Sequence, residues 1–409
     1  MTADVPGDVF EALAGQDAAV AELRQAAAAA AGVLRGEPGA RMTHAWLITG
    51  PPGSGRSIAA LAFAAALLCP DGGCGHCASC HQVRAGTHAD LLLVRPEGLS
   101  YGVRQTRGLV LRAAGAPSRG RWQVVVFEDA DRATEQAANA LLKAIEEPAP
   151  RTVWLLCAPS AEELVTTIRS RCRHLVLGTP PTSAIAEVLT REGVEPDRAL
   201  AAARAAQSHI GRARRLATDA DAARRRDDVL AVPPTLTGLG PALTAAATLV
   251  KAAESEAVAV TAELDEPERE ALRRAFGEGS TGKGVAKAVR GAAGAMKALE
   301  DQQKSRATRL KRDALDRALL DLAAFYRDVL ATQIGAPVEL ISAGHEAAVG
   351  KVAGSSSPEA TLRRMEAIMA CRERLDCNVA PLLAMEEMTL VLANPVPAIP
   401  RRRTPPRRT

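Results

Sequence analysis

At 409 residues the chain exceeds what one hydrophobic core usually serves, which implies two or three domains. Its 47% apolar and 24% charged residues are ordinary globular usage, while 2% aromatics and alanine-rich runs such as residues 26–31 favour helical packing over an all-β core. The formal charge of +4 rests on Arg401, Arg402, Arg403, Arg407 and Arg408; the body without them sits near −1, which excludes a protein that coats DNA by bulk charge. With no apolar run of about 18 residues and no signal-like N-terminus, the expectation is a soluble, cytoplasmic protein without a membrane partner.

Through residue 180, short apolar runs alternate with helical patterns, the signature of a parallel α/β sheet. Strands are expected at 45–49, 91–94, 124–127, 153–158 and 174–177, each apolar enough to be covered on both faces. After the first strand comes Gly50, Pro51, Pro52, Gly53, Ser54, Gly55, Arg56 and Ser57, and then a helical run to Leu68. This matches the strand–GxxxxGK[ST]–helix phosphate loop at every defining position except Arg56. Glycines turn backbone N–H groups towards phosphate, the helix start adds a favourable dipole, and Ser57 stands where a Mg²⁺ ligand belongs. Lysine serves there as a compact point charge; arginine is longer, planar and forked, so the exchange is not conservative.

Next come Cys69, Cys74, Cys77 and Cys80, half of the chain's eight cysteines. Two overlapping CxxC turns and a fourth thiolate supply a tetrahedral sulfur set suited to a closed, structural Zn²⁺ site, with a redox CxxC as the alternative. His76 and His81 are available as substitute ligands. The third strand ends in Glu128 and Asp129, acids that either serve a metal-bound phosphate or simply cap the strand. Asp129 is one methylene shorter than the glutamate that activates water in P-loop ATPases, and errors of about 1 Å can reduce rates on the order of a hundredfold. Hydrolysis at this site is not expected, and nucleotide binding (ATP with Mg²⁺) is expected to be weak or absent.

Beyond the prolines at 180 and 181, small helices are expected to about residue 231, then a second proline break and a long helical region. Within it, Gly277, Gly279, Gly282 and Lys283 nearly spell another phosphate loop. A charged helix precedes them, however, and Gly284 replaces the hydroxyl, so a joint between helices is expected. Residues 283–312 carry nine Lys or Arg against Glu300 and Asp301, which reads as a solvated helix face or as a contact for DNA phosphates or an acidic partner.

Several segments together resemble the bacterial DNA polymerase III clamp loader, a family within the AAA+ superfamily. They are the run from Asn139 to Pro148, the Ser170–Arg171–Cys172 triplet, the N-terminal box from Val9 to Gln16, His88–Ala89–Asp90 and the run from Asp376 through Pro381. The resemblance is dense over about the first 220 residues and thin beyond. An altered phosphate loop and acid pair beside an intact Ser-Arg-Cys triplet is similar to the family's δ′ branch. The resemblance implies an α/β P-loop (AAA+) parallel-sheet domain (1–180) with an inserted zinc module (69–80). A small helical lid (181–231), an all-α collar (232–393) and a disordered Arg/Pro tail (394–409) would follow.

It further implies partnership with γ/τ ATPase subunits and δ, and through the complex with the sliding clamp and primed DNA. Arg171 would act in trans as an arginine finger on a neighbour's nucleotide. The chain would be part of the holoenzyme, not itself a polymerase, and at most a weak ATPase. Ala158 and Arg212 depart from the ATPase pattern at its two sensor regions. The rival readings are an active γ/τ-type ATPase subunit and a DNA-binding adaptor.

Overall fold

The computed structural model describes residues 8–37, 41–96, 98–118, 121–275, 285–377 and 379–394, and the chain divides into two units, residues 1–220 and 221–409. In the first unit, β1 (Ala45–Thr49), β2 (Leu91–Val94), β3 (Gln123–Phe127), β4 (Thr152–Ala158) and β5 (Arg173–Val176) form one sheet in the order β2-β3-β4-β1-β5. Every pairing is parallel. The helices between strands are α1 (Asp17–Leu34), which precedes β1, then α2 (Arg56–Leu68), α3 (Ala78–Arg84), α4 (Val103–Ala113), α5 (Glu135–Glu146) and α6 (Thr166–Arg169).

The period of two along each strand sorts the core into two layers. Trp46, Ile48, Val124, Val126, Val153 and Leu155 pack with α1 and α2. Their alternates Leu47, Val125, Phe127, Trp154 and Leu156 pack with α4 and α5. Both faces are therefore buried through β1, β3 and β4, as continuous apolar runs require. The edge strand β5 differs from expectation. It ends at Val176, and His174 and Val176 are exposed, so this strand is covered on one face only.

After β5, α7 (Thr182–Arg191), α8 (Pro196–Ala205) and α9 (Ile210–Thr218) form a small helical cluster around Ile185, Leu189, Ala199, Ala203, Ile210 and Ala213, with Ala14 joining from the N-terminal box. The break between units falls at Ala220, ahead of the prolines at 233 and 234. The second unit contains α10 (Ala220–Leu230), α11 (Leu239–Ala275), α12 (Val285–Gln333), α13 (Glu346–Gly354), α14 (Pro358–Asp376) and α15 (Pro381–Ala393). Leu315, Leu319, Leu322, Phe325, Ile368, Met385 and Met388 belong to its core, and the same unit holds a buried ion pair, Arg226 Nε to Asp321 Oδ1 at 3.1 Å. In the described part of the basic stretch, Arg306 pairs with Asp265 and Glu268, and Lys311 with Glu254. Those charges are taken up by acids of α11. The second glycine-rich run (277–284), Asn378 and residues 395–409 lie outside the described residues.

Candidate functional site: a phosphate-type loop, a four-sulfur cluster and an exposed arginine

The loop leaves the buried end of β1 and enters α2 through Gly55, whose φ of +94° is open to glycine but strained for other residues. Gly53 has φ +89°, and a Cβ there would lie 2.5 Å from Cα of His209, the residue that caps α9. The small helical cluster thus rests directly on the middle of the loop. Gln16 joins the same parts. Its Nε2 donates to the carbonyls of Ser54 (3.3 Å) and Gly178 (2.8 Å), while its Oε1 accepts from Gly178 N–H at 3.1 Å. This clasp was not assigned from sequence; the only signal was its place in the N-terminal box.

Three polar atoms around the loop are buried without a hydrogen-bond partner among the described residues: Ser54 Oγ, Arg56 Nη1 and Glu128 Oε1. Two are donors suited to an anion. The acid is already engaged, because Glu128 Oε2 lies 3.2 Å from Arg95 Nε, so a protein cation stands beside the carboxylate. Asp129 adopts a left-handed backbone (φ +48°) with Arg132 at 3.8 Å. Cys157 on β4 is driven up by complete burial and by the charges of Glu128 and Asp129, against the opposing effect of Arg56. The loop arginine and both acids therefore converge on the C-terminal end of the sheet, where ligands of open α/β folds sit. Ala158, in the first sensor region, is a fully buried residue of β4 with no polar side-chain atom to offer. Pro51 and Pro52 are exposed at the loop's outer turn.

At the other end of α2, the ligand atoms of Cys69, Cys74, Cys77 and Cys80 all lie within 4.8 Å of one another, an arrangement that could hold a metal ion. Cys69 Sγ is 3.7 Å from Cys74 Sγ and 3.6 Å from Cys77 Sγ. Four sulfurs placed tetrahedrally at ~2.3 Å from zinc would be roughly 3.8 Å apart. Burial pushes the Cys69 thiol up, but N–H groups of Cys74, Gly73 and Asp71 outweigh it and bring the group down to about 7. Cys77 caps α3 by accepting from Cys80 N–H at 3.4 Å. His76 is exposed and bonded to Cys74 carbonyl at 2.8 Å, and neither it nor His81 belongs to the cluster among the described residues.

Arg171 follows the short α6. Its Nε lies 2.5 Å from Glu146 Oε1, and Nη1 donates to Thr167 carbonyl at 2.8 Å and to Ser170 Oγ at 3.1 Å. The side chain remains 40% exposed. It is thus held at its base while still open to solvent.

The five-stranded parallel sheet, the loop between β1 and α2 and the acid-ended β3 define an α/β P-loop domain. The family model described as DNA polymerase III, delta subunit matches residues 37–181. The chain is 39% identical over 158 residues to DNA polymerase III subunit delta' of Pseudomonas aeruginosa, covering 37% of this chain and 48% of that protein. It is 35% identical over 159 residues to the Bacillus subtilis subunit delta' (38% and 48% covered). With the Mycobacterium tuberculosis subunit gamma/tau the identity is 33% over 169 residues (39% and 29% covered). The chain spans about half the length of the curated delta' relatives it matches. A gamma subunit-related protein from Thermotoga maritima superposes over 85% of this chain and 93% of its own at 17% identity and a TM-score of 0.37. Over the matched segment, the chain is similar in sequence to DNA polymerase III subunits delta' and gamma/tau.

Among the described residues, no helix is long and apolar enough to cross a membrane.

Proposed function

We propose that the chain is a δ′-type subunit of the DNA polymerase III clamp loader. It would share a ring with γ/τ-type ATPase subunits and δ, and support ATP-driven loading of the sliding clamp on primed DNA. The observation that carries this reading is one P-loop domain related to delta' subunits in which the exposed arginine is intact while the nucleotide site is altered. Arg56 replaces the lysine, Arg95 engages Glu128, and His209 lies on Gly53.

In this reading the chain's own site does not drive turnover. Ser54 Oγ and Arg56 Nη1 can accept an anion, which supports weak nucleotide contact at the loop. Arg171 serves a neighbour by placing its guanidinium against negative charge that develops on the transferred phosphoryl group. Fingers of this kind contribute roughly 10³ to 10⁵ in rate. The cysteine cluster holds Zn²⁺, closed by four protein thiolates and therefore structural. Contact with DNA comes through the complex; the ion pairs of the basic stretch on α12 support that role over an independent DNA-binding adaptor.

The test is reconstitution with the ATPase subunits. Arg171→Ala is expected to leave assembly intact and to lower DNA-stimulated ATP turnover of the complex by a factor of ten or more. Undiminished turnover would remove the finger role, and Mg²⁺-dependent turnover by the isolated chain that Ser57→Ala abolishes would overturn the passive-site reading.

A further inference from the structure

We infer that Glu146 is a positioning residue for Arg171, one that sets the guanidinium for its neighbour. The inference rests on the finger reading above. Glu146 is the last residue of α5, where a carboxylate faces the negative end of the helix dipole. That placement is unfavourable for an isolated acid and is offset by Arg171, whose Nε lies 2.5 Å away.

The rest of the guanidinium is placed with equal economy. Nη1 is taken by Thr167 carbonyl and Ser170 Oγ, both local to the turn that carries the arginine. Among the described residues no hydrogen bond engages Nη2, which leaves it available as the outer tine of the fork. An arginine loses rotamer freedom when it docks, so anchoring two of its three nitrogens beforehand leaves less to be lost on meeting a phosphate. Thr167 and Ser170 lie within four residues of Arg171 and would travel with it. Glu146 is 25 positions away in sequence, on another helix, and ties the arginine to the body of the domain.

α5 also gives Glu146 a connection to the acid end of β3. The turn at 130–132 follows Asp129 directly, Thr134 caps α5 through Ala137 N–H, and the helix then runs its 12 residues to Glu146. That is about 18 Å of rigid element between the chain's own phosphate-type site and its arginine. Glu146 lies within the run from Asn139 to Pro148, and Arg171 within the separate Ser-Arg-Cys triplet, so the ion pair joins two motifs that the sequence presents apart.

The test uses the reconstituted complex with Arg171→Ala, Glu146→Gln, Glu146→Asp and the double variant Glu146→Gln/Arg171→Ala, each checked for assembly and melting temperature. Glu146→Gln keeps size and hydrogen-bonding capacity but removes the charge. It is expected to lower kcat for ATP turnover roughly tenfold, with KM for ATP and assembly unchanged, and Glu146→Asp should recover part of the loss. In the double variant the two effects should not multiply, since with Arg171 gone there is nothing left to position. Three outcomes overturn the inference: unchanged kcat in Glu146→Gln while Arg171→Ala is impaired, multiplicative effects in the double variant, or a loss that tracks assembly. If Arg171→Ala itself leaves turnover unchanged, the finger reading falls first and the role of Glu146 falls with it.

Discussion

The two ends of α2 make an instructive pair. At its start lies a glycine-rich loop with positive φ at Gly53 and Gly55, in which Arg56 occupies the position of the phosphate-loop lysine and Arg95 engages Glu128. At its end lies a cluster of four cysteines whose sulfurs lie within 4.8 Å of one another, with the Cys69–Cys74 and Cys69–Cys77 separations near those of a tetrahedral metal site. A phosphate loop is built mainly from backbone N–H groups, so its shape can outlast changes in the side chains around it. A four-thiolate site has no such reserve, because every ligand is a side chain and removing one leaves an open position.

The largest effect should therefore come from the cysteine end. Cys69→Ser is expected to abolish stoichiometric zinc and lower the melting temperature on the order of 10 °C, since the binding free energy of a structural zinc is folding free energy. Cys69 is fully buried where α2 meets the module, so its loss is felt in the core as well. Metal analysis together with a thermal scan checks this, and full zinc content in the variant would break the contrast. At the loop end the decisive quantity is space. Gly53→Ala places a methyl 2.5 Å from Cα of His209 at a backbone angle that alanine resists, and should reduce stability by about 2–4 kcal/mol in urea unfolding. A variant as stable as the parent would mean that His209 does not rest on the loop in solution.

Much of this arrangement was legible in the sequence, because its signals are local. Buried parallel strands are short unbroken apolar runs, and β1 and β2 fall where those runs do. β5 was less legible: an edge strand covered on one face mixes Leu175 with exposed His174 and Val176, which blurs its end and its burial. The cysteine cluster was readable for the same reason as the strands, since all its ligands fall within one turn-rich segment. Contacts across long sequence separations were not readable. Gln16 to Gly178, His209 on Gly53, Arg95 beside Glu128 and Glu146 beside Arg171 each join residues whose partner is fixed by the tertiary fold, and no periodicity announces them.

The smallest expected effect refines the description of the loop end. Asp131 follows the acid pair on the turn after β3, and its Oδ1 is buried without a hydrogen-bond partner among the described residues. Burial, the largest cause, and the charges of Asp129 and Glu163 push its carboxyl above the usual range, against a backbone hydrogen bond that holds it down. A carboxyl raised in the folded state favours folding while protonated and loses that contribution as pH rises through its folded value. At neutral pH its charge is therefore a small burden on the native state. Asp131→Asn removes that charge at nearly constant volume and should raise the melting temperature slightly at pH 7. The gain should shrink as pH falls through the carboxylate range and vanish once Asp131 in the parent is protonated in both states. Thermal scans of the two proteins at several pH values measure this difference. A gain that did not depend on pH would show that repacking, and not the charge, was responsible. A loss at pH 7 would mean that the Asp131 carboxylate is used by the fold, leaving the acid end of β3 better satisfied than its buried oxygens imply.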